Sequence, residues 1–237
     1  MPTADIFFAA SLAVKNMLTE NFNVPENKIF VFYEFYSPSL NVEPIPSDLS
    51  RKINNAKLVV GGVGFVDYRK GFDLFLETVR VISNVNNIKD ILFVWLGAFG
   101  RGKDKIVKKF IELNQLGDQV YFTGEVKNTE EYYKAFDVLF IPSREDPFPL
   151  VMLESAWFGK PIICFNNSGG ITEFVDKEVG ILIDSLDPGK TAREIIYLAN
   201  NKDKLLLLGN SAKRKVAGSY TIDIVAPRIH QKIQSLM

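Results

Sequence analysis

The chain has 237 residues, with 28 Lys plus Arg against 28 Asp plus Glu; this is long enough to bury a real core, as one large domain or as a domain with a piece of another. The balance excludes an overall field that would draw the protein to nucleic acid or to an anionic membrane, so any charge chemistry must be local. A single cysteine, Cys164 in the apolar run "PIICF", excludes an internal disulfide and reads as a reduced, packed thiol, which favours a cytoplasmic setting.

In chain order, "ADIFFAAS" reads as a strand, "LAVKNMLTENF" as a helix and "KIFVFYEF" as a strand. "YSPSLNVEPIPSDLS" then supplies three prolines and little periodicity, the pattern of a linker. Residues 1–47 are therefore expected to be the end of one α/β unit plus a linker, and 48–237 the main domain. From residue 57 onward, short runs rich in Val, Ile and Phe alternate with helical patterns, which predicts an α/β fold built on a parallel sheet. Strands are read at 57–62, 91–97, 119–124, 137–143, 161–165 and 180–184. Helices are read at "GFDLFLETVRVISN", "KDKIVKKFIELNQL", "TEEYYKAF", "PLVMLESAWFG", "TAREIIYLANN", "KDKLLLLGNSAKRKV" and "IDIVAPRIHQKIQSL". No apolar run approaches the roughly 18 residues of a membrane helix, and the N-terminus has no charged segment followed by a hydrophobic one.

Ligands of such sheets bind beyond the carboxyl ends of the strands, which singles out four loops. "GGVGFVDYRKG" begins a G-x-G-x-x-G pattern with Gly62 and Gly64 but carries Asp67 at the third position; Arg69 and Lys70 then stand at the mouth of a helix, a corner that suits a phosphate or simply two solvated cations. "GAFGRGKD" imitates a phosphate-binding loop, yet Asp104 replaces the Ser or Thr that would ligate magnesium and would repel phosphates. In "NNSGGITEF", Gly169 and Gly170 permit unusual backbone angles, a helix is expected from about Ile171, and Glu173 is placed to cap or contact. In "REDPFPLVMLE", Pro149 suits the first position of a helix, Glu145 and Asp146 precede it, and Glu154 lies about one turn inside. Such acids accept hydrogen bonds from sugar hydroxyls, or neutralise a helix dipole and pair with Arg144.

Taken together, "DPFPLVMLE", "GKPIICFNNSGGITEFV" and "RKGFDLF" resemble the C-terminal, donor-binding half of the retaining glycosyltransferases of the GT-B fold, family 4, while "ADIFFAASLAVKNML" with "KIFVFYEF" looks like the last unit of the N-terminal half. The resemblance implies a Rossmann-like parallel sheet with helices on both faces, whose last helix crosses back toward the N-terminal half. It implies that Lys70 and Arg69 bind the diphosphate of a nucleotide-sugar, Asp146 the hydroxyls of the transferred sugar and Glu154 those of the ribose. Gly64 would lie near the phosphates, and Phe148, Pro149 and Leu150 where backbone amides touch sugar and phosphate. Glu125, Val126 and Lys127 would lie near the base, and Gly169 and Gly170 in the same crevice. Three departures stand out: Pro149 lacks the amide of the commoner glycine, Phe65 lies where an Arg often follows, and Asp146 shortens the usual glutamate by a methylene.

No cofactor and no metal are expected, since the chain has no D-x-D pattern and no clustered His and Cys; its one histidine, His230, falls in the last helix. The expected acceptor is a glycan or lipid-linked glycan held by the other half of the family's fold, so the chain alone is expected to bind a UDP- or GDP-sugar without transferring it. Two readings from other classes stand beside this one. The chain could be a non-catalytic nucleotide- or partner-binding module whose basic helices touch a protein or the periphery of a membrane, or a hydrolase whose two carboxylates flank one scissile bond.

Overall fold

The computed structural model describes residues 4–38, 43–85 and 88–236. β1 (Phe7–Ala9), α1 (Leu12–Phe22) and β2 (Ile29–Val31) form a small unit in which β1 pairs with β2 in parallel. α1 occupies the predicted residues because its ends are marked: the Ser11 hydroxyl accepts from the Val14 amide, and Asn23 turns the chain at φ 52°. Both strands are shorter than their apolar runs, since the ladder between them has three pairs.

The linker predicted from the prolines falls partly on 39–42, outside the described residues. Its end is helical: α2 (Ser47–Asn55) starts after Pro46 and packs the buried Leu49 and the half-buried Ile53, four apart, against the main core. The proline-rich surroundings hid this short amphipathic turn from the sequence reading.

There follow β3 (Leu58–Val63), α3 (Phe72–Ser83), β4 (Ile91–Leu96), α4 (Lys103–Leu113), β5 (Val120–Phe122), α5 (Glu130–Ala135), β6 (Val138–Ile141), α6 (Leu150–Trp157), β7 (Ile162–Phe165), β8 (Gly180–Ile183), α7 (Pro188–Asn200), α8 (Lys202–Ser219) and α9 (Ile222–Gln234). The six strands β3 to β8 form one all-parallel sheet in the order β5-β4-β3-β6-β7-β8: the parallel sheet expected from the alternation, in the doubly wound arrangement that the resemblance implied. Successive residues of each strand feed opposite cores. Val60, Phe93, Trp95, Val138, Phe140 and Ile163 join Phe75, Val79, Val107 and Ile195 on one face. Val59, Leu92, Val94, Leu139, Ile162 and Cys164 join Tyr133, Phe136, Met152, Leu153 and Val216 on the other. Burial pushes the Cys164 thiol well above its ordinary pKa, so it packs as the apolar group the sequence suggested.

One predicted helix is corrected. After Gly170 the chain makes a single 3-10 turn, Gly170–Glu173, rather than an α-helix. It stops because Phe174 and Val175 drop into the core directly beneath it. At the other end the chain returns to the small unit: the Tyr36 amide donates to the Tyr220 carbonyl at 2.7 Å, the Ile222 amide to the Tyr36 carbonyl at 3.3 Å, and Lys232 Nζ on α9 lies 3.5 Å from the centre of the Phe30 ring. His230 sits on the exposed side of α9. Among the described residues, no helix is long and apolar enough to cross a membrane.

Candidate functional site

The strand order reverses between β3 and β6, which opens a crevice beyond their carboxyl ends. Two loops meet there with almost no space between their backbones. Gly71, at φ 75°, closes the β3 loop in a conformation where a Cβ would stand 2.0 Å from the Pro142 carbonyl oxygen. This approach brings Arg69 and Lys70 against the loop that follows β6: the Arg144 amide donates to the Arg69 carbonyl at 2.8 Å, and Arg69 Nη1 donates to the Glu145 carbonyl at 3.0 Å. Asp67, which breaks the glycine pattern, is a turn residue whose carboxylate accepts from the Lys70 amide at 2.8 Å.

Lys70 Nζ donates to Asp146 Oδ2 at 2.6 Å, and the Ser143 hydroxyl donates to the same oxygen at 3.3 Å. Asp146 is 6% exposed, so the pair is sheltered at the floor of the crevice. Its backbone is held as well: the Asp146 amide donates to the Ser168 carbonyl at 2.6 Å, and the Asp146 carbonyl accepts from Gly170 at 3.2 Å. An ammonium has three N–H donors, so with one directed at Asp146 two can serve an incoming anion. Arg144 is differently committed, gripping both oxygens of Asp73 at 2.8 and 2.7 Å and the Tyr68 carbonyl at 2.6 Å. Its hydrogen bonds to Asp73 lift the guanidinium above its ordinary pKa despite partial burial.

Gly64, at φ 144°, lies beside the aliphatic stem of Lys70, whose Cδ would be 3.3 Å from a Cβ there. Arg69, Arg144, Glu145, Asp146, Pro147 and Gly169 line a cavity of about 350 Å³ whose remaining wall includes Ala13, Val14 and Met17 of α1. Phe148 points away from it, into the core against Tyr33 and Tyr220. Pro149 is the residue before α6 rather than its first, and Leu150, the first, is exposed.

Glu154 sits four residues into α6, where the Tyr133 hydroxyl of α5 donates to Oε2 at 2.6 Å. Burial raises its carboxyl above the ordinary value and the nearby Glu130 charge adds to this, while the Tyr133 bond opposes both. The neighbouring Tyr132 shares a second cavity, of about 320 Å³, with Glu125, Val126, Lys127, Tyr121 and Pro44. Arg69, Lys70, Gly64, Asp146, Gly169 and Gly170 thus gather around the Lys70 and Asp146 pair, Glu154, Glu125, Val126 and Lys127 flank α5, and the side chains of Phe148 and Leu150 join neither group. Ser143, Ser168 and Tyr133, which hold these acids, were not singled out from the sequence. Ser143 had merely closed the predicted strand, Ser168 stood beside the two glycines, and Tyr133 read as one more apolar position. Among the described residues, no group of three His, Cys, Asp or Glu could hold a metal ion.

The Glu154 environment predicts a pH dependence. Below about pH 4 the carboxyl is protonated in folded and unfolded chains alike and costs nothing. As pH rises past the unfolded pKa the folded state resists ionisation, and stability falls until the raised folded pKa is also passed. Glu154→Gln is therefore expected to gain more stability at pH 7 than at pH 4 in denaturant melts. An equal change at both values would refute the buried-carboxyl assignment.

Residues 48–215 match the family described as Glycosyl transferases group 1. An uncharacterized glycosyltransferase of Methanocaldococcus jannaschii is 26% identical over 225 residues, which cover 91% of this chain and 56% of that protein. The capsular polysaccharide biosynthesis glycosyltransferase CapM of Staphylococcus aureus is 22% identical over 224 residues, 92% of this chain and 58% of its own length. The chain spans about half the length of the curated relatives it matches. Among solved structures, Anabaena HepE in complex with UDP-glucose superposes with a TM-score of 0.85 at 18% identity, covering 98% of this chain and 64% of that one. Such neighbours are GT-B glycosyltransferases, and the chain shares their fold of a parallel six-stranded sheet flanked by helices. Every loop of the crevice beyond β3 and β6 lies within the matched residues, and the chain belongs to the glycosyl transferases group 1 family.

Proposed function

We propose that the crevice binds a nucleotide-diphosphate sugar and that the chain is the donor-binding part of a family 4 glycosyltransferase that transfers the sugar with retention. The observation that carries this reading is the Lys70 and Asp146 pair at the switch point, in a chain of this family. Transfer with retention builds positive charge on the sugar ring beside a departing diphosphate. Lys70, with Arg69 at the rim, would stabilise the leaving charge, a role that needs no metal. Asp146 would accept from hydroxyls of the transferred sugar and Glu154 from the ribose, while the cavity at Glu125, Val126 and Lys127 would receive the base. The amides at Leu150 and Val151 would meet phosphate oxygens at the start of α6. The acceptor would be a glycan or lipid-linked glycan, reached in the cytoplasm or at the inner membrane periphery.

HepE has been crystallised with UDP-glucose, which makes that compound the first probe. A thermal-shift panel of UDP-, GDP- and ADP-sugars tests the reading. A donor at about 100 times its Kd adds roughly 2.7 kcal/mol to the folded state, a rise of about 5 to 11 °C for a domain of this size. No shift with any of them would overturn the proposal. The 237-residue chain assayed alone is expected to show this binding without transfer, and robust turnover would refute that part.

A further inference from the structure

α1 begins with more unpaired donors than its own cap can serve. The Ser11 hydroxyl accepts from Val14, which leaves the amides of Leu12 and Ala13 in the first turn. Both are taken by one residue far away in sequence: Glu173 Oε2 accepts from Leu12 at 2.9 Å, and Oε1 accepts from Ala13 at 3.0 Å. Oε2 also accepts from the Tyr33 hydroxyl at 2.9 Å. The cap itself is buried, Ser11 being 0% exposed, so the partner of these amides comes from the protein, from a turn about 160 residues along the chain.

What the carboxylate joins is more specific. Glu173 ends the turn that begins against Asp146, where a Cβ on Gly169 would stand 2.1 Å from the Asp146 carbonyl oxygen. Gly170 packs on the cap of α1, since a Cβ there would lie 2.5 Å from the Ser11 Cβ. Tyr33 lays its ring on Phe148, two residues past Asp146, with centroids 4.9 Å apart. Burial, then Glu173, pushes the Tyr33 hydroxyl up to about 12, so it remains a donor. Glu173 thus reaches α1 from the turn that packs on Asp146, while Tyr33, two residues past β2, donates to Glu173 and rests on Phe148. α1 in turn presents Ala13, Val14 and Met17 to the cavity that Asp146 lines.

The geometry points to Glu173 as a positioning residue: it fixes the apolar α1 wall opposite Asp146 and so fits the crevice to the sugar of the donor, an inference that rests on the proposed donor reading. It acts through α1 and Tyr33, without touching the ligand.

Two readouts on the full chain test it. Nitroxide labels on Glu20→Cys and Glu178→Cys report the position of α1 against the sheet, and the buried Cys164 escapes labelling. Glu173→Ala is expected to broaden and lengthen this distance, with Glu173→Gln, which keeps one acceptor oxygen, in between. The second readout is the affinity for UDP-glucose relative to UDP. Glu173→Ala is expected to lower that ratio about fivefold with UDP affinity unchanged, a selective loss that general destabilisation would not produce. An unchanged distance overturns the inference, and so does a broadened distance with an intact ratio, because Glu173 would then hold only the fold. A wild-type chain that binds neither compound overturns the donor reading instead, and the distance still decides whether Glu173 places α1.

Discussion

Lys70→Met is expected to weaken binding of UDP-glucose about 100-fold, since two charge-assisted hydrogen bonds to a diphosphate are together worth about 3 kcal/mol or more. It should also destabilise the protein itself. The side chains of Lys70 and Asp146 are 16% and 6% exposed, so removing the ammonium strands a sheltered carboxylate. Breaking a buried pair costs about 3 to 5 kcal/mol, and the Ser143 hydroxyl at 3.3 Å holds the loss near the lower figure. That corresponds to a fall in Tm of about 6 to 12 °C. Adding Asp146→Asn removes the stranded charge and should restore most of the stability but none of the binding. Calorimetry and denaturant melts on the single and double variants separate the two effects. A Lys70→Met protein that keeps both stability and affinity would remove Lys70 from the site.

Gly169→Ala is expected to be strongly destabilising. The residue has φ 111°, where an L side chain is strained, and the added methyl would meet the Asp146 carbonyl oxygen at 2.1 Å. Backbone strain and overpacking each cost about 1 to 3 kcal/mol, so a combined loss of about 2 to 6 kcal/mol follows. Gly102→Ala supplies the control. It has φ 71° but nothing within 4 Å of the new methyl, and should lose only about 1 to 2 kcal/mol. Equal losses in denaturant titrations would show that the close approach to Asp146 carries no energy.

The sequence was most informative where one physical signal dominates. "LAVKNMLTENF" was read as a helix and is α1 end to end, because a serine cap and an asparagine in the left-handed region bracket it. The buried strands announced themselves as continuous Val, Ile and Phe runs, as expected when both faces are covered. α2 was hidden by surrounding prolines, and the helix expected at Ile171 became one turn because Phe174 and Val175 are drawn inward, which local pattern does not reveal. Within the candidate site, Lys70 was legible as a cation beside a glycine turn and Asp146 as an acid just ahead of a proline-led helix. Their common partner Ser143, the clasp of Tyr133 on Glu154, and the reach of Glu173 to α1 are contacts between distant segments that carry no periodicity. Glu173 was noted as a residue able to cap; the helix it caps could not be named until the chain was folded.

The order of the sheet also bears on how the protein assembles. β4 and β5 lie beside strands adjacent in sequence, as do β7 and β8, whereas joining β3 to β6 brings together groups 78 residues apart, such as the Val59 amide and the Asp137 carboxylate. Closing the longer loop carries the larger entropy cost, and non-local pairings of this kind slow folding. The seam made by that step is also the floor of the Lys70 and Asp146 crevice, so neither half of the sheet can hold the ligand until the two have zipped together.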